Sequence, residues 1–169
     1  MSDAPSVLFL CTGNAARSVM AGVALAHRRT DLTVETAGTL VVGGMPISWR
    51  TRAALADVGL PWPRHASKQA DRRLLASADL IVGLAPEHIH WVRREHPTFA
   101  ARAGTLIRLT KELPAPMSPL ADRVSQLALA CTELESWEEV VDPGGGEVED
   151  FIACARDIVV LVDRLAELL

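Results

Sequence analysis

The chain has 169 residues, 49% of them hydrophobic, and a formal net charge of −4 at pH 7. This length suits one domain with a sizeable buried core. The acidic balance, without a basic run, argues against nucleic acid as a partner. No apolar run approaches the ~18 residues of a membrane span, and we expect no membrane contact and no signal peptide. The odd number of cysteines, three, argues against a disulfide framework. We therefore expect the protein to occur in a reducing cytoplasm.

Strand and helix patterns alternate along the chain. Short apolar runs rich in β-branched residues predict strands at 7–10, 32–37, 80–84 and 105–109. Apolar residues at helical spacing predict helices at 18–29, 49–58, 87–95 and 147–169. Such alternation is typical of an α/β fold. We predict a single three-layer domain over 1–169, with a four-stranded parallel sheet flanked by helices. Functional residues are expected beyond the carboxyl ends of the strands.

The stretch between 109 and 142 is longer than the connections of compact α/β domains usually are. Three prolines interrupt its beginning, and 120–134 then has the apolar spacing of an amphipathic helix. We predict a helical insert at about 113–138. It either packs on the edge of the sheet as a surface helix or shapes the rim of a functional site.

The first predicted strand ends at Cys11, and a loop of small residues leads to Arg17 and Ser18 at the start of a helix. The backbone N–H groups of such a loop can surround an anion, which the helix N-terminus also favours. The same field stabilises the Cys11 thiolate. The Arg17 guanidinium offers a fork that fits two phosphate oxygens. Together these features predict a phosphate-processing site with a cysteine nucleophile.

The Cys-x5-Arg-Ser sequence after the first strand resembles the low-molecular-weight protein tyrosine phosphatases, whose relatives include protein-arginine phosphatases and thiol-dependent arsenate reductases. Further segments that resemble this family occur at 36–38, 44–46, 53–60, 65–69, 78–82 and 142–143. The resemblance covers most of the chain. It implies hydrolysis of a phosphorylated protein or small phosphomonoester through a phosphocysteine intermediate, with inorganic phosphate as product and with no metal or other cofactor.

The resemblance also implies roles for individual residues. Cys11 would attack phosphorus, Arg17 would hold the phosphoryl oxygens, and Asp142 would act as general acid and then as general base. Ser18, Asn14, Thr36 and His65 would support the loop and the thiolate. The phosphate-binding loop is predicted to comprise Thr12, Gly13, Asn14, Ala15, Ala16, Arg17 and Ser18.

Several departures from the family pattern concern the substrate. Ala16 stands where the tyrosine phosphatases carry a second cysteine, and Ala15 where the arginine phosphatases carry a threonine. Glycines, beginning with Gly144, follow Asp142-Pro143 in place of aromatic residues. Trp49, with Gly144, is therefore the candidate for the wall of the substrate pocket.

Phosphotyrosine is the first expectation for the substrate. The alternatives are a protein-arginine phosphatase, an arsenate reductase that uses an external thiol, and a phosphate-binding regulator without turnover. For residues outside the motif, we expect His88, His90 and His96 on a solvated face, Cys154 in the core and Cys131 partly buried.

Overall fold

The computed structural model describes residues 4–62 and 64–169. Within these residues, four parallel strands form one sheet: β1 (Ser6–Cys11), β2 (Thr33–Gly38), β3 (Leu80–Gly83) and β4 (Ala103–Thr105). The α-helices are α1 (Arg17–Arg28), α2 (Trp49–Asp57), α3 (Arg72–Ser77), α4 (Pro86–Glu95), α5 (Leu106–Glu112), α6 (Leu120–Ser125) and α7 (Val148–Leu168). Short 3-10 helices lie at Pro97–Arg102 and Ser136–Glu138.

The strand order is β2-β1-β3-β4, so the chain runs from β1 to one side of the sheet and later crosses to the other. Successive strands are thus added on one side of β1 and then on the other. In open parallel sheets, ligands bind beyond the carboxyl ends of the strands at the point where the strand order reverses in this way. Cys11 is the last residue of β1. The topology therefore places Cys11 where an open parallel sheet of this kind offers a binding crevice.

Alternate residues of β1 face opposite layers of the domain. Val7 and Phe9 belong to a core that includes residues of α1, α2, α5 and α7, whereas Leu8 and Leu10 belong to a core that includes residues of α3 and α4. The helices thus cover both faces of the sheet, and the predicted α/β fold is confirmed. Among the described residues, no helix is long and apolar enough to cross a bilayer.

Two predicted elements are wrong in position or length. The strand predicted at 105–109 lies at Ala103–Thr105, and α5 begins at Leu106. The Thr105 hydroxyl caps that helix by accepting a bond from the Arg108 N–H, at 3.3 Å. The three-residue spacing of buried Leu106 and Leu109 then follows a helix and not a strand.

The helix predicted at 120–134 ends at Ser125, as α6. Ala128 adopts a positive φ of 49°, which a right-handed helix does not allow. The carbonyl groups of Leu129 and Thr132 accept bonds from Arg93 on α4. A tertiary contact thus replaces the helical hydrogen bonds that the apolar spacing predicted.

Candidate active site

The loop after β1 turns tightly around the side chain of Asn14. Asn14 is fully buried and has a φ of 50°, in the left-handed region that asparagine tolerates better than most residues. Its Nδ2 donates to Ser18 Oγ and to Thr36 Oγ1, both at 3.0 Å. Its Oδ1 accepts from the Lys68 backbone N–H at 3.0 Å. Asn14 therefore joins the loop to β2, to α1 and to the segment before α3.

The backbone of the loop is held from two further sides. His65 Nε2 bonds to the Asn14 carbonyl group at 2.7 Å, and not to the Asn14 side chain. Thr51 Oγ1, in the first turn of α2, donates to the Ala15 carbonyl group at 3.2 Å. Gly38, at the end of β2, lies so close that a Cβ there would be 2.4 Å from the Thr12 carbonyl oxygen. The segment at 36–38 thus needs its glycine because the loop backbone passes against it.

The sulfur of Cys11 lies 2.9 Å from Ser18 Oγ. Both residues are buried. Because Ser18 Oγ already accepts a bond from Asn14 Nδ2, its own proton is free to point at the sulfur. The arrangement supplies a hydroxyl donor to a Cys11 thiolate, in a loop that leads directly into the N-terminus of α1.

Arg17 is the first residue of α1 and is 2% exposed. Its Nη1 donates to the Val140 carbonyl oxygen and its Nη2 to Asp142 Oδ2, both at 3.0 Å. Glu87 Oε1 lies 3.9 Å from the same Nη2. Tertiary folding thus brings Asp142 to the loop across 125 positions of sequence.

Asp142 lies at the solvent-facing rim of this cluster, since 54% of its side chain is exposed. Its Oδ1 accepts from the Gly144 N–H at 2.9 Å. Gly144, predicted as part of a substrate wall, contacts Asp142 so closely that a Cβ would lie 3.1 Å from Oδ1. Trp49 is the first residue of α2 and is 56% exposed, two residues before the Thr51 contact to the loop. Its role as a wall stays a prediction.

The prediction of a solvated face for His88 is wrong. His88 is fully buried in the first turn of α4, and its Nε2 lies 3.2 Å from Thr12 Oγ1. Burial, aided by the nearby Arg17 charge, lowers the pKa of His88 to about 3. His88 is therefore neutral near pH 7. Its placement follows from topology, because α4 starts at the carboxyl end of β3, which pairs directly with β1.

The two other cysteines have different surroundings. Cys154 is buried on α7, as expected, and burial raises the pKa of its thiol to about 12. Cys131 is exposed, although the sequence suggested partial burial. The apolar spacing around Cys131 predicted a packed helix, whereas the chain there forms turns.

Known proteins resemble this chain in sequence. The family model described as low molecular weight phosphotyrosine protein phosphatase matches residues 6–113. A protein-arginine-phosphatase of Geobacillus stearothermophilus is 27% identical over 162 residues, 95% of this chain and 93% of the relative. A low molecular weight protein-tyrosine-phosphatase of Streptomyces coelicolor is 35% identical over 119 residues, 62% of this chain and 66% of the relative.

Solved structures share the fold over almost the whole chain. The low molecular weight protein tyrosine phosphatase from T. tengcongensis has a TM-score of 0.78 at 25% identity, with 98% of this chain and 99% of that chain covered. The YwlE arginine phosphatase from Geobacillus stearothermophilus has a TM-score of 0.78 at 23% identity, with 96% and 91% covered.

Proposed function

The chain belongs to the low molecular weight phosphotyrosine protein phosphatase family, and from that premise we propose that it dephosphorylates proteins through Cys11, with phosphotyrosine as the first substrate class. The observation that supports this most directly is the cluster at one strand end. Cys11 Sγ lies 2.9 Å from Ser18 Oγ, and Arg17 on the same loop bonds to Asp142 at 3.0 Å. Nucleophile, anion fork and proton donor are thus assembled within one loop and its partner segment.

In the first step, the Cys11 thiolate attacks phosphorus and forms the sulfur–phosphorus bond as the bond to the leaving group breaks. The N–H groups of residues 12–17 and the Arg17 guanidinium hold the phosphoryl oxygens while charge shifts. Protonated Asp142 gives its proton to the leaving oxygen. When the substrate binds, Arg17 Nη2 turns from Asp142 to the phosphoryl group. This releases the Asp142 carboxyl group for proton transfer.

In the second step, water attacks phosphorus and gives a proton to Asp142, while the sulfur–phosphorus bond breaks and inorganic phosphate forms. The departing Cys11 thiolate accepts the Ser18 hydroxyl proton in a hydrogen bond, which stabilises it as a leaving group. Asn14 Nδ2 donates to Ser18 Oγ and is itself held in place by its bond to Thr36 Oγ1.

A protein-arginine phosphatase is the second candidate. The relative of that name from Geobacillus stearothermophilus aligns with 95% of this chain, whereas the Streptomyces coelicolor tyrosine phosphatase aligns with 62%. Two carboxylates, Asp142 and Glu87, lie near Arg17 Nη2. The guanidino group of phosphoarginine has N–H groups that can donate to such carboxylates, whereas the ester oxygen of phosphotyrosine carries no hydrogen.

The wider context of the site is part of the proposal. Family membership implies phosphorylated protein substrates. We propose that 1–169 form a single phosphatase-like domain, that 113–138 are an insert leading to Asp142, and that the protein works in a reducing cytoplasm, where a thiolate nucleophile persists.

The test is hydrolysis of p-nitrophenyl phosphate from pH 5 to 8 by the protein and by its Cys11→Ser variant, with and without vanadate. Turnover that depends on Cys11 and is inhibited by vanadate is the expected result. Phosphotyrosine and phosphoarginine peptides then separate the two substrate candidates. Rates equal to those of Cys11→Ser on all three substrates would contradict the phosphatase proposal, and phosphate binding and arsenate reduction would be measured next.

A further inference from the structure

An ion pair is buried between α5 and the segment that leads to Asp142. Glu138 is fully buried and Arg108 is 6% exposed. Arg108 Nη2 donates to Glu138 Oε1 at 2.6 Å, and Thr105 Oγ1 donates to the other carboxylate oxygen at 2.5 Å. Replacement of such pairs by apolar side chains often leaves stability unchanged or raises it. Stability alone therefore does not account for a charge pair at this place.

The Arg108 guanidinium fastens the end of the 113–138 region to α5. Besides Glu138, its Nη2 donates to the Glu133 carbonyl oxygen at 2.9 Å, and its Nη1 to Glu112 Oε1 at 2.8 Å. It also lies 5.1 Å from the centre of the Trp137 ring, in a cation–π contact. One side chain thus restrains several residues just before the segment that carries Asp142.

A short extended segment connects Glu138 to the site. The Val140 N–H donates to the Leu84 carbonyl oxygen at 2.8 Å, directly after β3. The Val140 carbonyl group accepts from Arg17 Nη1, and Asp142 accepts from Arg17 Nη2. On the other side of Asp142, three consecutive glycines at 144–146 precede α7, and glycine restricts the backbone least. On the Glu138 side, the Val140 backbone bonds both to Leu84 and to Arg17, so this side holds Asp142 in addition to the bond from the Gly144 N–H.

We propose that the Arg108–Glu138 ion pair is a positioning device for the reaction, which holds the Val140–Asp142 segment so that Asp142 and Arg17 keep their register over Cys11. The proposal rests on the proposed function, because it assigns the pair to the placement of the general acid. Neither side chain contacts the substrate; both act through the backbone of 138–142. A displacement of the acid by about 1 Å is enough to slow proton transfer strongly.

The test compares Glu138→Gln with Glu112→Gln, which removes an exposed carboxylate from the same guanidinium. The value of kcat/KM is measured for phenyl phosphate and for p-nitrophenyl phosphate, because it reports the steps up to formation of phosphocysteine. Phenol, with a pKa near the ~10 of tyrosine, needs a proton to leave. The nitro group makes p-nitrophenolate a better leaving group with less need of the acid.

We expect Glu138→Gln to lower the phenyl to p-nitrophenyl ratio of kcat/KM by about fivefold or more. We expect Glu112→Gln to leave the ratio within about twofold, as exposed ion pairs contribute little. Circular dichroism and the urea midpoint establish that each variant is folded. An unchanged ratio in folded Glu138→Gln overturns the proposal.

Two further variants make every outcome decisive. If Glu138→Gln does not fold, Arg108→Lys keeps the buried positive charge but loses the fork, and an unchanged ratio in that variant also overturns the proposal. Asp142→Asn separates the two levels of the argument. If turnover does not depend on Cys11, the proposed function itself fails. If Asp142→Asn leaves the ratio unchanged, Asp142 is not the general acid, and the positioning role falls with it while Cys11-dependent turnover stands. A ratio lowered in Asp142→Asn but not in Glu138→Gln refutes only the positioning role.

Discussion

Replacement of Asn14 by alanine tests the central support of the loop after β1, the proposed phosphate-binding loop. The change removes three hydrogen bonds of the buried Asn14 side chain, to Ser18, Thr36 and the Lys68 N–H. Each contributes about 1 kcal/mol to the free energy of unfolding. Alanine at a φ of 50° costs about 1 kcal/mol more, because its Cβ crowds the following carbonyl oxygen in the left-handed conformation and alanine has no polar side chain to offset this. We expect Asn14→Ala to lower the free energy of unfolding by about 4 kcal/mol in total.

Urea denaturation, extrapolated to water, measures this loss. In a domain of this size it corresponds to a melting temperature lower by about 8–16 °C. Asn14→Gly is the matched control, since it loses the same hydrogen bonds but accepts the positive φ, and we expect it to be about 1 kcal/mol more stable than Asn14→Ala. A loss below about 1 kcal/mol in Asn14→Ala would refute the reasoning, because the three bonds would then contribute nothing measurable.

Three other predictions concern the same region. Ser18→Ala removes the hydroxyl donor from Cys11, and we expect kcat for p-nitrophenyl phosphate to fall by about tenfold or more because phosphocysteine breaks down more slowly. Stopped flow should then show a burst of p-nitrophenol. A fall in kcat without a burst would contradict this. Gly38→Ala places a Cβ against the Thr12 carbonyl oxygen and the Asn14 N–H, so we expect phosphate binding measured by calorimetry to weaken, whereas Gly43→Ala, where a Cβ meets open space, is the control that retains it. Burial lowers the pKa of His88 from 6.5 to about 3 in the folded chain. Between pH 3 and pH 6.5, the unfolded chain therefore binds a proton at His88 that the folded chain does not bind. The free energy of unfolding is therefore highest above pH 6.5 and decreases toward pH 3, with a slope of up to about 1.4 kcal/mol per pH unit. We expect His88→Gln to remove this slope from a series of urea unfolding curves measured at different pH values. An unaltered slope would contradict the burial argument.

The predictions made from local sequence were the most accurate. The apolar run of β1, its end at Cys11 and the start of a helix near Arg17 and Ser18 lie within twelve consecutive residues. Such short-range patterns reflect strand preference, loop-forming residues and helix periodicity, which act between near neighbours. The long apolar stripe of α7 was predicted to within one residue at each end for the same reason.

The errors occurred where distant segments decide the conformation. The 120–134 stretch has helical spacing, yet Arg93 on another helix binds two of its carbonyl groups. The polar sequence around His88 is typical of an exposed helical turn, yet the pairing of β3 with β1 buries His88 against Thr12. The sequence does not distinguish Glu138 from the other carboxylates near it, because only the folded chain places Arg108 beside it.

The sequence by itself determined the α/β class and the loop after β1, and it pointed to Cys11 and Arg17 as the proposed nucleophile and guanidinium, since these depend on residues that are neighbours along the chain. Only the tertiary structure decided that Asp142 bonds to Arg17, that Asn14 connects the loop to β2 and to Lys68, and that a buried ion pair stands behind the Asp142 segment. The physical reason is that hydrogen bonds and ion pairs depend on distances of about 3 Å, and separation along the sequence does not encode these distances.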